Sequence, residues 1–363
     1  MSGIKSRLLE YYENNEIKID IGFFLAGYVF DAFMVTEVDE PNAIIQQIIY
    51  LILIGLILGY KLMIEGGALK VPSRFEKAWA YHPLPLHFFL GTLLNIYSLF
   101  FIKSSSLFSS GLFVLLLLFL IIANETKFLK RSKVNLKICW FVVCLFSFFS
   151  IMIPVLFGFI GWIPFLTSFF MTAVAIFAFY FAVRVRWVNK SELTAHILYP
   201  SFGVLVLLFV FYMMGLLPPV PLAVQKMGIY HEIKKENGQY LVSSEKASWK
   251  FWQEGDQDFI AEPGDKVYFF ATIFSPARFD DTVLLHWMLK EKQGWRTTDK
   301  IPMRLLGGRK SGFRGFSVKE KYEDGDWQVR VETTDGREIG RLYFHITRIQ
   351  QFNPARTFET QIR

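Results

Sequence analysis

Seven apolar stretches follow one another between residues 19 and about 217, and nothing else in the sequence constrains the fold so tightly. They run Ile19–Val35, Ala43–Ile64, Leu84–Ile102, Leu107–Ala123, Ile138–Phe159, Ile163–Val183 and His196–Leu217. About 20 residues at 1.5 Å each cover the roughly 30 Å of a bilayer's hydrocarbon. A backbone in lipid must satisfy its own hydrogen bonds, so apolar runs of this length read as membrane-spanning helices. The run through Ile48, Ile49, Leu51, Ile52, Leu53 and Ile54 is the clearest. The first is the weakest, since it carries Asp20 and Asp31, and a carboxylate at mid-bilayer costs about 2.5–3.5 kcal/mol. Composition agrees: 53% of the 363 residues are hydrophobic, 39 are Phe, and only 20% are charged. That balance excludes a disordered chain. Cys139 and Cys144 both sit within one apolar run, so no disulfide framework or thiolate zinc site is expected.

The basic residues then set an orientation, because Lys and Arg collect in cytoplasmic loops. Residues Lys5, Arg7 and Lys18 precede the first run, and Lys61, Lys70, Arg74 and Lys77 lie around the second connection. Lys127, Lys130, Arg131, Lys133 and Lys137 lie around the fourth, and Arg184, Arg186 and Lys190 around the sixth. Fifteen basic residues therefore fall on one side and Lys103 alone on the other, where Glu37, Asp39 and Glu40 also lie. The N-terminus is expected inside and everything after Leu217 outside. No small-residue cleavage pattern follows the first run, so it reads as an uncleaved anchor. The net charge of +7 is largely loop charge, which leaves no need for a nucleic-acid partner.

After Leu217 the pattern changes. Pro218, Pro219 and Pro221 stiffen a linker over 218–227, which spans at most about 30 Å as an extended polyproline helix. From 228 to 350, short Val-, Phe-, Tyr- and Trp-rich runs alternate with turn residues, giving candidate strands Lys246–Trp252, Lys266–Phe274, Thr282–Lys290, Gly294–Arg304, Ser317–Lys321, Asp326–Thr333 and Glu338–Thr347. Thr334–Arg337, with Gly336, reads as a hairpin turn. Seven such strands suggest an immunoglobulin-like β-sandwich. The expected organisation is a cytoplasmic segment 1–18, a seven-helix membrane domain 19–217, the linker, an all-β domain 228–350 and a tail 351–363.

One series of residues carries a family resemblance: His286–Trp287, Trp295–Arg296, Gly308, Arg314, Ser317, Gly325–Asp326–Trp327 with Val329 and Val331, then Asp335–Gly336, Ile339–Gly340 and Phe344. Over about residues 265–347 this resembles the bacterial module known as domain of unknown function 2914, found behind membrane segments or in exported proteins. The resemblance implies an extracytoplasmic β-domain. It implies no reaction and no catalytic residues.

Candidate site residues form two groups. In the β-domain, Trp249, Trp252, His286, Trp287 and Trp327 are ligand-binding candidates, since exposed indoles stack on sugar rings; the ordinary alternative is that they fill the core. In the membrane half, ionisable and polar side chains are suspects by default: Asp31, His82, His87, Asn95, Glu125 and His196. Interfacial anchoring and helix capping explain each of these separately, while His82, His87, Glu125 and His196 together would suit a metal or a proton relay. The basic stretch Arg296 to Lys321 would suit anionic lipid or polymer, or simply form a solvated face. Gly307–Lys310 lacks the Ser/Thr of a phosphate loop. No cofactor and no metal site is expected. The leading reading is a non-enzymatic, multi-pass inner-membrane protein of a Gram-negative bacterium, whose periplasmic sandwich binds an envelope protein or glycan. The alternative is a membrane-embedded enzyme or transporter for lipid or envelope precursors, with the β-domain as lid or docking piece.

Overall fold

The computed structural model describes residues 40–125, 134–185, 187, 190–245, 249–250, 252–277, 279–307, 312–351 and 356–363. The expected first span, Ile19–Val35, and Asp31 lie outside the described residues. The chain divides into two compact units. The first holds residues 1–102, 111–153 and 165–217; the second holds residues 103–110, 154–164 and 218–363.

Seven helices are described: α1 Pro41–Glu65, α2 Glu76–Trp79, α3 Pro83–Lys103, α4 Leu107–Glu125, α5 Val134–Phe157, α6 Trp162–Arg184 and α7 Lys190–Met213. Five of them (α1, α3, α5, α6 and α7) are long and apolar enough to cross a membrane; the apolar part of α4, Ser109–Ala123, is shorter. The Pro83–Pro85 segment is not a break. Both prolines sit in the first turn of α3, where their missing N–H groups are not needed. The last span expected from the sequence stops early, at Met213, because Gly215 N–H donates to Tyr212 O and Leu216 N–H to Phe211 O, closing the helix end.

The helices are apolar on more than one face. Along α1, Leu51, Ile54, Leu58 and Leu62 are buried, while Ile45, Ile48, Ile49, Ile52 and Leu56 are exposed. The same holds for Phe170, Phe177 and Phe181 on α6 and for Phe202, Val206, Phe209 and Val210 on α7. A helix that is hydrophobic all round belongs in a large core or in lipid. Inside the unit, aromatic side chains fill the space: Phe165 stacks on Tyr212 at 3.6 Å, and Phe141 meets Phe179 edge-on at 5.8 Å. The most enclosed helix is α5, with Trp140, Val142, Cys144 and Phe146 essentially inaccessible.

The second unit contains eleven described strands: β1 Ala223–Tyr230, β2 Glu232–Glu236, β3 Gln239–Ser244, β4 Asp258–Ala261, β5 Val267–Phe274, β6 Asp280–Glu291, β7 Gly294–Leu306, β8 Phe313–Lys319, β9 Gly325–Thr333, β10 Glu338–Arg348 and β11 Glu359–Ile362. They form sheets ordered β1-β5-β8, β4-β10-β9-β6-β7 and β11-β3-β2. The first two correspond to the A-B-E and G-F-C orders of an immunoglobulin-type sandwich, with β4 added in parallel beside β10 and β7 beside β6. Alternate residues face inward: Val267, Phe269, Ala271 and Ile273 from one sheet meet Val283, Leu285, Trp287, Val329, Val331, Phe344 and Ile346 from the other. The third sheet covers the outer face of β5, where Phe270 packs with Tyr230, Ile233, Tyr240 and Val242.

The strands depart from the sequence reading in four places. Strand β1 starts at Ala223, inside the stretch read as linker, and β11 lies in the stretch read as tail. The candidate strand Lys246–Trp252 is not one in its described residues, which form turns. The ladder stops after Ser244 because the Asp256 carboxylate takes the Glu245 N–H at 2.8 Å. The expected strand Ser317–Lys321 is displaced upstream to Phe313–Lys319, in register with β5.

The strand directions give the sandwich two poles. The chain arrives at Ala223 opposite Phe274, the end of β5. At this proximal pole the second unit also gathers its two short connections: Ile160 N–H donates to Asp281 at 2.9 Å, Asp280 N–H donates to Gly158 O at 2.9 Å, and Ser106 donates to Glu338. The distal pole holds the start of β5 and β7 and the ends of β8 and β10.

Candidate functional site

The five indole and imidazole candidates of the β-domain separate into different environments. Trp287 is fully buried and Trp327 is 2% exposed; both belong to the core between the sheets. Trp287 meets Phe269 and Phe344 edge-on, and its indole N–H donates to Ser317 at 3.2 Å. The Trp327 N–H donates to Glu323 O at 3.0 Å. Buried indoles find such partners, and no free face remains for a ligand to stack on.

Trp249 and Trp252 are the opposite case, 66% and 59% exposed. Their rings lie 5.5 Å apart at 66°, an edge-to-face pair. Lys250 between them bonds Asp258 at 3.0 Å and lies 5.8 Å from the Trp249 ring, which ties the turn to the start of β4.

His286 is buried on the outward face of β6, where alternation opposite Leu285 and Trp287 places it. Its Nδ1 lies 3.2 Å from both oxygens of Glu332, and its Nε2 lies 2.7 Å from Thr297 Oγ1. A carboxylate only accepts, so Nδ1 carries a proton; in the neutral ring Nε2 then accepts from the threonine hydroxyl. Thr297 is exposed, whereas His286 and Glu332 are 7% and 9% exposed. A β-bulge sets this up. The β6–β7 register slips between Trp287 and Met288, so Met288 pairs with Thr297 and Thr298 is the extra residue, its hydroxyl bonded to Trp287 O. The slip turns Thr297 onto the same face as His286.

Thr297 also lines a polar cleft of about 1220 Å³ at the distal pole. Its walls come from β7, the β4–β5 and β8–β9 connections and the end of β10. Charges of both signs face it, and several are paired, as Lys266 is with Glu320 at 2.7 Å and Lys319 with Asp299.

Sequence reasoning missed a buried ionic cluster. Arg356 reaches in from the segment before β11, donating to Glu245 at 2.5 Å, to Asp265 at 2.6 Å and to Ile260 O at 2.7 Å. It also meets the His231 ring at 3.0 Å. Asp256 and Glu262 complete the group. Burial, with the Arg356 charge beside it, pushes the His231 imidazole from its ordinary 6.5 down to about 3. Glu245, Asp256 and Asp265 lie 3.5–3.7 Å from the same ring, and Asp265 pulls the other way, so burial is the largest cause. Residues 231 and 356 are too far apart in the chain for any local signal to join them.

In the helical unit the polar candidates whose side chains are described are His82, His87, Asn95 and His196. His82 bonds Trp79 O at 2.7 Å and stacks on the Trp79 ring at 4.3 Å. His196 bonds Asn135 at 2.6 Å, with Glu192 3.9 Å away. His87 is buried on α3, and Asn95 is half-buried two turns along the same helix. The Glu125 side chain lies outside the described residues. Among the described residues, no three His, Cys, Asp or Glu side chains form a group that could hold a metal ion.

With this arrangement in view, the comparisons with known proteins concern the β-domain. Residues 280–346 match the family described as protein of unknown function DUF2914. The DUF2914 segment runs from β6 into β10, so it contains His286, Thr297, Trp327 and Glu332 but not Trp249 or Trp252. No curated protein matches the chain. Among solved structures, an immunoglobulin-like protein from Pseudomonas aeruginosa is similar at 15% identity, covering 32% of this chain and 97% of its own, with a TM-score of 0.19. A Pseudomonas fluorescens alkylpurine DNA glycosylase, AlkC, bound to DNA containing an abasic site analog, is similar at 10% identity over 86% of this chain and 84% of its own, with a TM-score of 0.22. At these TM-scores neither likeness bears on the fold or the activity.

Proposed function

We propose that the chain is a multi-pass protein of a bacterial inner membrane that presents its β-sandwich in the periplasm to bind an envelope glycan. Three features support the membrane part. The helices are apolar on their outward faces as well as their inner ones. Basic residues concentrate on alternate connections. The connections 103–110 and 154–164, which the charge count puts on the same side as residue 218 onward, belong with those residues to one compact unit.

The binding part rests on one observation: two tryptophans, Trp249 and Trp252, stand exposed on one turn. Exposed indoles are costly to leave in water and are enriched where partners dock. Full-length protein in lipid nanodiscs, titrated with soluble peptidoglycan fragments, should show saturable quenching of tryptophan fluorescence. Trp252→Ala should weaken it by about 30-fold, the equivalent of about 2 kcal/mol for an aromatic hot spot. Capture of an envelope protein through the same two tryptophans, without glycan binding, would replace the glycan by a protein partner. Binding that survives loss of both indoles would sink the platform. Orientation is tested separately: a membrane-impermeant thiol reagent should label Thr360→Cys, and not Lys127→Cys, from the periplasmic side.

A further inference from the structure

We propose that Thr297, His286 and Glu332 form a catalytic relay for acyl transfer from carboxylic esters of polar alcohols, with Thr297 as nucleophile. This goes beyond binding and places a second activity on the sandwich. The relay has the order that activates a hydroxyl: an exposed alcohol 2.7 Å from an imidazole nitrogen, whose other nitrogen is held by a carboxylate at 3.2 Å. In the neutral ring the tautomer is the working one, because Glu332 holds the proton on Nδ1 and the Nε2 lone pair faces Thr297. His286 and Glu332 are shielded from water, while Thr297 opens onto the cleft.

Two cations share the relay's face of the sheet. Cross-strand neighbours share a face, and His286 stands opposite Lys300 on β7 and Arg330 on β9. The Arg330 Nε is buried without a hydrogen-bond partner among the described residues, a donor not yet committed. Such a charge beside the reacting carbonyl is the largest single contribution in many acyl-transfer sites. The β-bulge matters here as well, since without the one-residue slip Thr297 would face the opposite side of the sheet.

In the step itself, Thr297 Oγ1 attacks the ester carbonyl while His286 Nε2 takes the hydroxyl proton. The C–O bond to the alcohol then breaks, and the alcohol leaves with that proton. Water, deprotonated by the same nitrogen, attacks the acyl-threonine and releases the acid, restoring Thr297. Ester and water give acid and alcohol, with nothing else consumed. His286 and Thr297 are the catalytic residues, and Glu332 is a positioning residue. The polar, mixed-charge lining of the cleft favours a hydrophilic ester over a lipid chain.

Full-length protein in detergent, treated with a fluorophosphonate, tests this. The probe forms an O–P bond to the nucleophile as the P–F bond breaks, and peptide mass mapping locates the adduct. The adduct is expected on Thr297, slowed by about 100-fold or more in His286→Gln, the scale of general-base assistance, and unchanged in Thr347→Val, an exposed threonine on β10 away from the relay. Thr297→Ser, a less hindered alcohol, should label faster. With p-nitrophenyl acetate, Glu332→Gln should lower kcat and leave KM in place, which a merely structural role would not do. Absence of any adduct at residue 297 in both wild type and Thr297→Ser, with the tryptophan fluorescence of the fold intact, would overturn the proposal. So would labelling of Thr297 at a rate indifferent to His286→Gln.

Discussion

Lowering the pH from 7.5 to 5 should cost the β-sandwich about 2 kcal/mol through His231 alone. In the fold this ring stays neutral down to about pH 3, whereas in the unfolded chain it titrates near its ordinary 6.5. Between these values the unfolded state binds the extra proton, so stability is fully present above pH 6.5 and declines as the pH falls towards 3. The slope approaches about 1.4 kcal/mol per pH unit once the unfolded ring is fully protonated. Integrated from pH 7.5 to 5, this gives about 2 kcal/mol, or a fall in Tm of roughly 6 °C for a domain of this size. The cause is structural. A proton on His231 would face the Arg356 guanidinium at 3.0 Å in a site with little access to water. The assay is thermal unfolding of the full chain in detergent, followed by tryptophan fluorescence, for wild type and His231→Gln. Glutamine keeps an acceptor for Arg356 but has no proton to gain, so the pH dependence should flatten by the stated amount. The surrounding carboxylates titrate in both proteins and cancel in the difference. If wild type and His231→Gln lose the same stability over this interval, the account of the cluster is wrong.

The other expectations concern stability. Trp287→Ala should cost about 3–5 kcal/mol by opening the core between the sheets, while Trp252→Ala should change stability by no more than about 0.5 kcal/mol; equal effects in denaturant unfolding would contradict their placement. Gly255→Ala should cost about 2 kcal/mol or more: φ there is +71° and a Cβ would sit 2.1 Å from the Ile229 carbonyl oxygen. A fully stable alanine variant would mean that the β1 crossing is not as close as described.

The sequence made some of this legible and hid the rest for physical reasons. Apolar runs longer than a bilayer's half-thickness announce their helices directly, which is why α1, α3, α5 and α6 lie within a few residues of their expected ends. Strands β5, β6, β7, β9 and β10 were legible because one face of each is core, giving clean alternation such as Trp327, Val329, Val331. Strand β2 was not, since Lys234, Lys235 and Glu236 mask the period, although Asn237 and Gly238, both at positive φ, form the turn that such a hairpin favours. Trp249 looked like a strand residue because indoles prefer strands, but it lies in a turn. Of the candidate site, His286 could be singled out and its partners could not. Thr297 reaches it only through a bulge, and Glu332 lies 46 residues away.

The strand order has a practical consequence for the segment that defines the family match. Residues 280–346 supply β6 to β9 and most of β10, but β1, β4 and β5 come earlier in the chain. Since Phe269 and Ile273 of β5 pack against Trp287 and Val331, a fragment trimmed to that segment keeps one sheet but only β8 of the sheet that covers it. It would expose a broad oily surface and aggregate. The recognisable stretch of sequence and the unit that folds are different objects here, and the smallest autonomous piece has to start upstream of Ala223.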